Sequence, residues 1–262
     1  MKYTFCAQTD PGRVRANNED AVAIDETAQL VVLADGMGGY NAGEIASHMA
    51  TSLTQSELGQ WLMNASKRPS TSEVKHAIQT CVAHVNRAIF DASRANTQYA
   101  GMGTTMVLAV FLGQRLLLGH VGDSRCYRWR DDTLVQITKD HSLLQEQLDA
   151  GWLTPTQAAN SPIRNLVTRA VGVATEVALD LSEHRVQASD VYLLCSDGLS
   201  DMVDDALLAD VLRQGGVLTK MADTLVAKAN EMGGRDNIAV VLAQASGSIE
   251  EPRLISRWLG KQ

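Results

Sequence analysis

The apolar positions of this chain recur with two periods, and the alternation between them divides it into elements. Residues 2–9 and 21–35 read as strands, with Asp25–Ala28 as a polar turn between two of them. Ile45, Met49 and Leu53 then recur at helical spacing. A clearer helix follows: Pro69–Glu73 gives a start signal, and Val74, Ile78, Cys81, Val85, Ile89 and Ala92 make one apolar stripe. From 104 to 137 the pattern returns to strands. TTMVLAVFL, RLLLGHV, RCYRWR and TLVQIT are separated by short turns at Gly113-Gln114, Gly122-Asp123 and Asp131-Asp132. Strands joined so tightly pair antiparallel, so the stretch predicts a meander and not a βαβ succession. Residues 142–165 read as helix and then loop, with Pro155 and Pro162. Strands at 176–186 and 190–196, a capped helix near Asp204–Leu212, a helix at Val217–Met232 and a last strand at Ile238–Ala243 follow. Helices in pairs and strands in runs predict an α+β fold, antiparallel sheets covered by helices in a single domain.

The strand boundaries share a chemistry. VVLADG ends a strand in Asp35, and YLLCSDG ends another in Asp197. GGRDN places Asp236 just before IAVVLA, and NNED places Glu19 and Asp20 just before AVAID. Asp123, in HVGDSR, sits in a turn between strands. If these ends lie along one rim of a sandwich, the carboxylates converge, and close carboxylates cannot all stay ionised without a counter-charge. A divalent ion such as Mg²⁺ or Mn²⁺, which takes oxygen ligands, removes that conflict. Gly36 fits as well: no side chain blocks its carbonyl from a metal, and glycine supplies the positive φ of a turn leaving a strand. Each Asp-Gly taken alone is a common turn dipeptide.

Other chemistries find less support. GMGG is not a dinucleotide fingerprint, because Asn41 stands where the third glycine is needed. No serine lies in GxSxG. The six histidines show no metal-ligand spacing and read mostly as surface or helix-face residues. The chain has 262 residues, 45% hydrophobic and 20% charged, and a formal net charge of −7. With a sequence pI of about 5.3, it does not read as a nucleic-acid binder, whose affinity rests on basic residues meeting phosphates. The four cysteines form no CxxC, and they read as buried, reduced thiols. The N-terminus lacks an apolar core of signal-peptide length, and no apolar run is long enough to span a membrane. The expectation is a soluble, cytoplasmic protein.

In order, TDPGRVRANNED, ADGMGGYNAGE, GMGTTMV, HVGDSRCYRWR, KDHSLL, LVTRAVG, LLCSDGL and GGRDN span nearly the whole chain. Together they resemble the metal-dependent protein phosphatases, the type 2C serine/threonine family, in its compact bacterial form. The resemblance implies a four-layer α-β-β-α sandwich of two antiparallel sheets flanked by helix pairs. It implies two Mn²⁺ or Mg²⁺ ions at one end, and a third in a weaker site. By motif position Asp35 bridges both core ions and Gly36 gives a carbonyl to one. Asp20, Asp197 and Asp236 are direct or water-mediated ligands, Glu19 reaches a metal-bound water, and Asp123 with Asp197 forms the third site. Arg15 takes the phosphate-binding position. The implied reaction is hydrolysis of phosphoserine and phosphothreonine in proteins by a metal-bridging hydroxide, with Arg15, Asp20 and Asp35 as the catalytic set and no phospho-enzyme.

The same resemblance makes residues 1–246 the catalytic domain, with 142–165 as a variable flap beside the cleft. Its partners are phosphorylated proteins made by a Ser/Thr kinase, and the enzyme is expected as a monomer. Tyr40 stands where many bacterial relatives carry histidine, a position proposed to protonate the leaving group; a phenol of unperturbed pKa near 10 is a poorer acid. The tail, 247–262, places Leu254, Ile255, Trp258 and Leu259 on one face of a short helix. A terminal helix packed on its own domain and a partner- or membrane-docking helix both fit it. Two other functions fit the residues: a regulatory module with the phosphatase fold but no turnover, and a metal-dependent hydrolase of another phosphoester, such as a nucleotide.

Overall fold

Along strand β3 (Leu30–Met37) every residue from Leu30 to Ala34 is buried, because both faces of the strand are covered. Leu30, Val32 and Ala34 join one apolar cluster, and Val31 and Leu33 join another. The computed structural model, which describes residues 1–39, 42–65, 69–154, 157 and 166–247, repeats that double burial through two sheets. The first is ordered β2 (Asp20–Asp25), β3, β5 (Met106–Leu112), β6 (Arg115–Val121) and β9 (Asp180–Arg185), with the short β4 (Gly103–Thr104) beside β3. The second is ordered β1 (Lys2–Asp10), β11 (Ile238–Ser246), β10 (Val191–Cys195), β7 (Arg125–Arg130) and β8 (Thr133–Gln136). Pairing within both is antiparallel.

Six α-helices are described: α1 (Ala42–Asn64), α2 (Thr71–Ala95), α3 (Leu143–Asp149), α4 (Asp197–Ser200), α5 (Asp205–Gln214) and α6 (Leu218–Glu231). Val31, Leu33, Val107, Ala109 and Phe111 of the first sheet meet Tyr192, Leu194, Val241 and Ala243 of the second. The outer face of the first sheet buries α1 and α2, and that of the second buries α5 and α6. The result is the four-layer sandwich. Period-2 patterning thus gives each central strand two apolar faces, one for each neighbouring layer. Ser70 caps α2 by accepting the Glu73 N–H at 3.2 Å, while Glu73 accepts the Ser70 N–H at 2.8 Å. This reciprocal box is the start signal carried by PSTSE.

Four details differ from the pattern reading. The run 104–137 is not one meander: β5 and β6 form a hairpin in the first sheet, and β7 and β8 form one in the second. The Gly122-Asp123 turn carries the chain between sheets, so Asp123 lies at a crossing. β3 continues to Met37, so Asp35 stands within the strand and not at its end. The face of α1 that packs deepest is Ala46, Ala50, Thr54 and Leu58, with Ile45, Met49 and Leu53 on its flank; small residues let the helix lie close to the sheet. Most of the histidines are exposed or half-buried as expected, and His120 is a residue of β6, but His141 is buried where a surface position was the general expectation.

Cys81, Cys126 and Cys195 are buried free thiols, and Cys6 is half-buried. Among the described residues no helix is long and apolar enough to cross a membrane. The tail from 248 on, Tyr40, and most of 155–165 lie outside the described residues.

Candidate metal centre

Strands β2 and β3 pair so that Asp20 lies directly opposite Asp35. Directly opposed residues of an antiparallel pair share a face, with Cβ atoms about 5 Å apart, so the two carboxylates stand side by side. Behind them, Ser196 leaves the end of β10. Its hydroxyl donates to Asp20 Oδ2 at 2.7 Å and accepts the Ala239 N–H at 2.9 Å. Asp197 follows at the start of α4. The turn is tight: a Cβ on Gly198 would stand 1.9 Å from the Asn237 carbonyl oxygen.

Asn237 ties the surrounding loops together. Its Oδ1 accepts the Glu19 N–H at 2.8 Å, and its Nδ2 donates to the carbonyls of Pro11 at 3.0 Å and Asn17 at 2.8 Å. Asp236, the preceding residue, accepts from Arg15 Nη2 at 2.8 Å. Gly36 donates its N–H to the Glu19 carbonyl at 3.0 Å. Its lack of a side chain is required by crowding, since a Cβ there would lie 2.1 Å from the Gly43 carbonyl oxygen; no positive φ is involved. Thr105 holds Asp35 from the other side, accepting its N–H through Oγ1 at 3.0 Å.

Asp35, Gly36, Asp123, Asp197 and Asp236, with Arg15 and Glu19, line one cleft of about 390 Å³. Asp20 is buried beneath them. All eight residues picked from the sequence are therefore gathered at one end of the sandwich. A larger groove of about 460 Å³ between α1 and α2 is mostly apolar and gathers no such set of carboxylates.

The electrostatics reflect the crowding. Burial pushes Asp20 up to about 7, with the Ser196 hydrogen bond opposing the rise and the Asp236 charge adding to it. Burial, then the charges of Asp20, Asp197, Asp123 and Asp236, holds Asp35 well above the usual carboxylate range. Asp197 is raised in the same direction by burial and by Asp123 and Asp236. Asp123 is pushed up to about 6, by burial first and then Asp140. Asp236 holds the Arg15 guanidinium further above its ordinary value.

Asp20 Oδ1 is buried without a hydrogen-bond partner among the described residues. An unsatisfied carboxylate oxygen of this kind is costly, and a hard cation bound to it would remove that cost. The donors are carboxylates and a carbonyl, the set that suits Mg²⁺ and Mn²⁺ and does not suit soft metals. Among the described residues no three His, Cys, Asp or Glu side chains close on one point as a finished cage. The acids stand around a cleft, an arrangement compatible with ions that keep several of their waters. The residues present fit such ions.

A family model described as Protein phosphatase 2C matches residues 12–233. The chain belongs to that family. The serine/threonine phosphatase stp of Listeria innocua serovar 6a is 37% identical over 240 residues, covering 90% of this chain and 94% of that one. The crystal structure of Stp1 from Staphylococcus aureus superposes with a TM-score of 0.87 at 32% identity, covering 94% of this chain and 96% of that one. The catalytic domain of the phosphatase PstP, solved in complex with two manganese ions, superposes with a TM-score of 0.82 at 37% identity over 94% of this chain and 99% of that one. The α-β-β-α layering of this chain is that of a protein phosphatase 2C.

The sequence reading missed the residues that hold the ligand set in place. Ser196, Thr105 and Asn237 all lie inside motif strings (LLCSDGL, GMGTTMV, GGRDN), but nothing in their type marks a hydroxyl or amide as the partner of a distant carboxylate, as for Ser196, or of a distant backbone amide, as for Thr105 and Asn237. Leu166 and Val167, which form part of the cleft wall, carry no signal beyond apolarity.

Proposed function

We propose that this protein phosphatase 2C removes phosphate from phosphoserine and phosphothreonine side chains of proteins, using Mn²⁺ or Mg²⁺ held in the acidic cleft. The observation that carries the reading is the set Asp20, Asp35 and Asp197, gathered at one cleft with all three carboxyls held above the ordinary range by burial and by neighbouring acidic charge. Asp35 would serve both core ions, with Asp20, Asp197, Asp236 and the Gly36 carbonyl completing the set and Glu19 acting through water. Asp123 and Asp197 would take a third ion. Paired cations supply Lewis acidity, which makes a water nucleophilic at neutral pH.

The chain's own residues supply the rest. Arg15 presents a planar fork that suits phosphoryl oxygens. It is half-exposed beside Asp236, so a substrate phosphate competes with Asp236 for it. Buried Asp20 holds its place through Ser196, and Thr105 fixes the Asp35 backbone, so these two acids are positioned by the fold itself. No serine or cysteine nucleophile is required. The substrates are phosphoproteins made by a Ser/Thr kinase, and the enzyme works as a monomer in the cytoplasm.

The test is hydrolysis of phosphoserine and phosphothreonine peptides against a panel of nucleotides, with Mn²⁺ and with EDTA. The expected result is metal-dependent release of phosphate from the peptides, lost in Asp197→Asn. Preference for nucleotides would replace the substrate class. No turnover on any member of the panel would favour a regulatory module.

A further inference from the structure

KDHSLL (139–144) and LVTRAVG (166–172) contain none of the carboxylates of the cleft, yet they meet beside it at His141. The His141 N–H donates to the Gly122 carbonyl at 2.8 Å, and the Gly122 N–H donates back to His141 Nδ1 at 3.0 Å. The His141 carbonyl accepts the Thr168 N–H at 2.8 Å. One residue thus grips the turn before Asp123 on one side and the cleft wall on the other. Ser142 and Leu143 extend the grip, bridging to Val167 and Leu166.

The imidazole's roles follow from its partners. A backbone N–H can only donate, so Nδ1 accepts and the proton sits on Nε2. Nε2 faces Asp180 Oδ2 at 3.1 Å. Arg169 Nη1 also lies 3.0 Å from Nε2, but two donors cannot bond; the guanidinium is held instead by Asp180 Oδ1 at 2.7 Å and the Ala178 carbonyl at 3.1 Å. The His141 ring also packs on His120, centroids 4.6 Å apart, and His120 Nε2 lies 3.0 Å from the Ser124 carbonyl. Both neighbours of Asp123 are therefore held by this histidine pair. Ser124 in turn shares a 2.7 Å hydroxyl contact with Thr105, the residue that fixes Asp35.

We propose that His141 is a positioning residue: it locks the Gly122–Ser124 turn to the Leu166–Thr168 wall, so that Asp123 and the substrate side of the cleft are set as one unit. The inference rests on the proposed function, which makes Asp123 a cation ligand. Histidine suits the task because one neutral ring accepts at Nδ1 and donates at Nε2. Asparagine can place an acceptor near the Nδ1 position. Glutamine reaches toward Nε2 but leaves the Gly122 N–H without its acceptor.

The experiment compares His141→Asn, His141→Gln and His141→Ala. It reads the Mn²⁺ midpoint for peptide hydrolysis, and hydrogen exchange at amides 122–124 in metal-free protein. Residues that orient ligands from behind typically change metal affinity or activity by about 10–100-fold. His141→Ala and His141→Gln should raise the midpoint about tenfold and speed exchange at 122–124. His141→Asn should recover most of both. If the midpoint and the exchange are unchanged in all three while only the melting temperature falls, the histidine is purely structural and the proposal is overturned. It is overturned as well if His141→Asn behaves like His141→Ala. Should His141→Ala fail to fold, the Asn and Gln pair decides. Wild-type protein without metal-dependent turnover would refute the functional reading instead, and the exchange rates would still test the clamp.

Discussion

In the metal-free protein, Asp20→Asn should stabilise the fold. The side chain is buried beside Asp35, and its pKa is raised from the ordinary 3.8 to about 7. A carboxyl whose folded pKa is raised binds more protons in the native than in the unfolded state between the two values. Wild-type stability therefore falls as pH rises from about 4 to about 7, the window set by those values. A gap of about three units at 1.36 kcal/mol each gives an upper figure of about 4 kcal/mol. Because Asp20 and Asp35 share the burden, about 2–4 kcal/mol is the working range at pH 8. Asparagine removes the charge and keeps the shape: its oxygen can accept the Ser196 hydroxyl, and its NH₂ can face Asp35. For a chain of this size the gain is about 5–10 °C in melting temperature. The assay is thermal unfolding in EDTA from about pH 4.5 to pH 8. The difference between variant and wild type should be smallest at the acid end and grow with pH up to about 7. With Mn²⁺ added, wild type should gain more than the variant. A variant that melts below wild type in EDTA at pH 8, or by the same margin at every pH, would refute the reasoning.

Three further outcomes are expected. Gly198→Ala drives a Cβ to 1.9 Å from the Asn237 carbonyl oxygen, so denaturant unfolding should show a loss of about 1–3 kcal/mol; an unchanged midpoint would mean that the Ser196–Asp197 turn yields without cost. Arg15→Ala should lower kcat/KM on phosphopeptide by about 10²-fold, the scale of losing a charge-assisted phosphate contact of about 2–3 kcal/mol, while leaving the melting temperature within a degree or two. Tyr40→Phe should lower turnover on phosphopeptide far less than Asp35→Asn does; an equal loss would make the phenol the proton donor.

Much of this was legible in the sequence, for physical reasons. The carboxylates could be picked out because Asp-Gly after an apolar run stands out in sequence; it marks a true strand end at Asp197, whereas β3 runs on through Asp35-Gly36 to Met37. The sheets were legible because strands covered on both sides, such as 30–34 and 238–243, read as unbroken apolar runs. The crossing at Gly122-Asp123 was not: a tight turn looks the same in sequence whether the next strand pairs in the same sheet or leaves for another. Nor was the need for glycine at Gly36, because the crowding comes from Gly43, on a helix whose approach depends on tertiary packing. His141 escaped for a related reason. Its partners, Gly122, Thr168 and Asp180, are distant in sequence and ordinary in type, so no spacing could announce it.

The most direct measurement of the central claim is a crystal soaked in Mn²⁺, with diffraction measured at the manganese absorption edge. The account predicts two strong anomalous peaks on either side of the Asp35 carboxylate, within ligand distance of Asp20, Asp197 and Asp236, and a weaker third between Asp123 and Asp197. An ordered cleft with no peak there, at Mn²⁺ concentrations that support hydrolysis in solution, would contradict it.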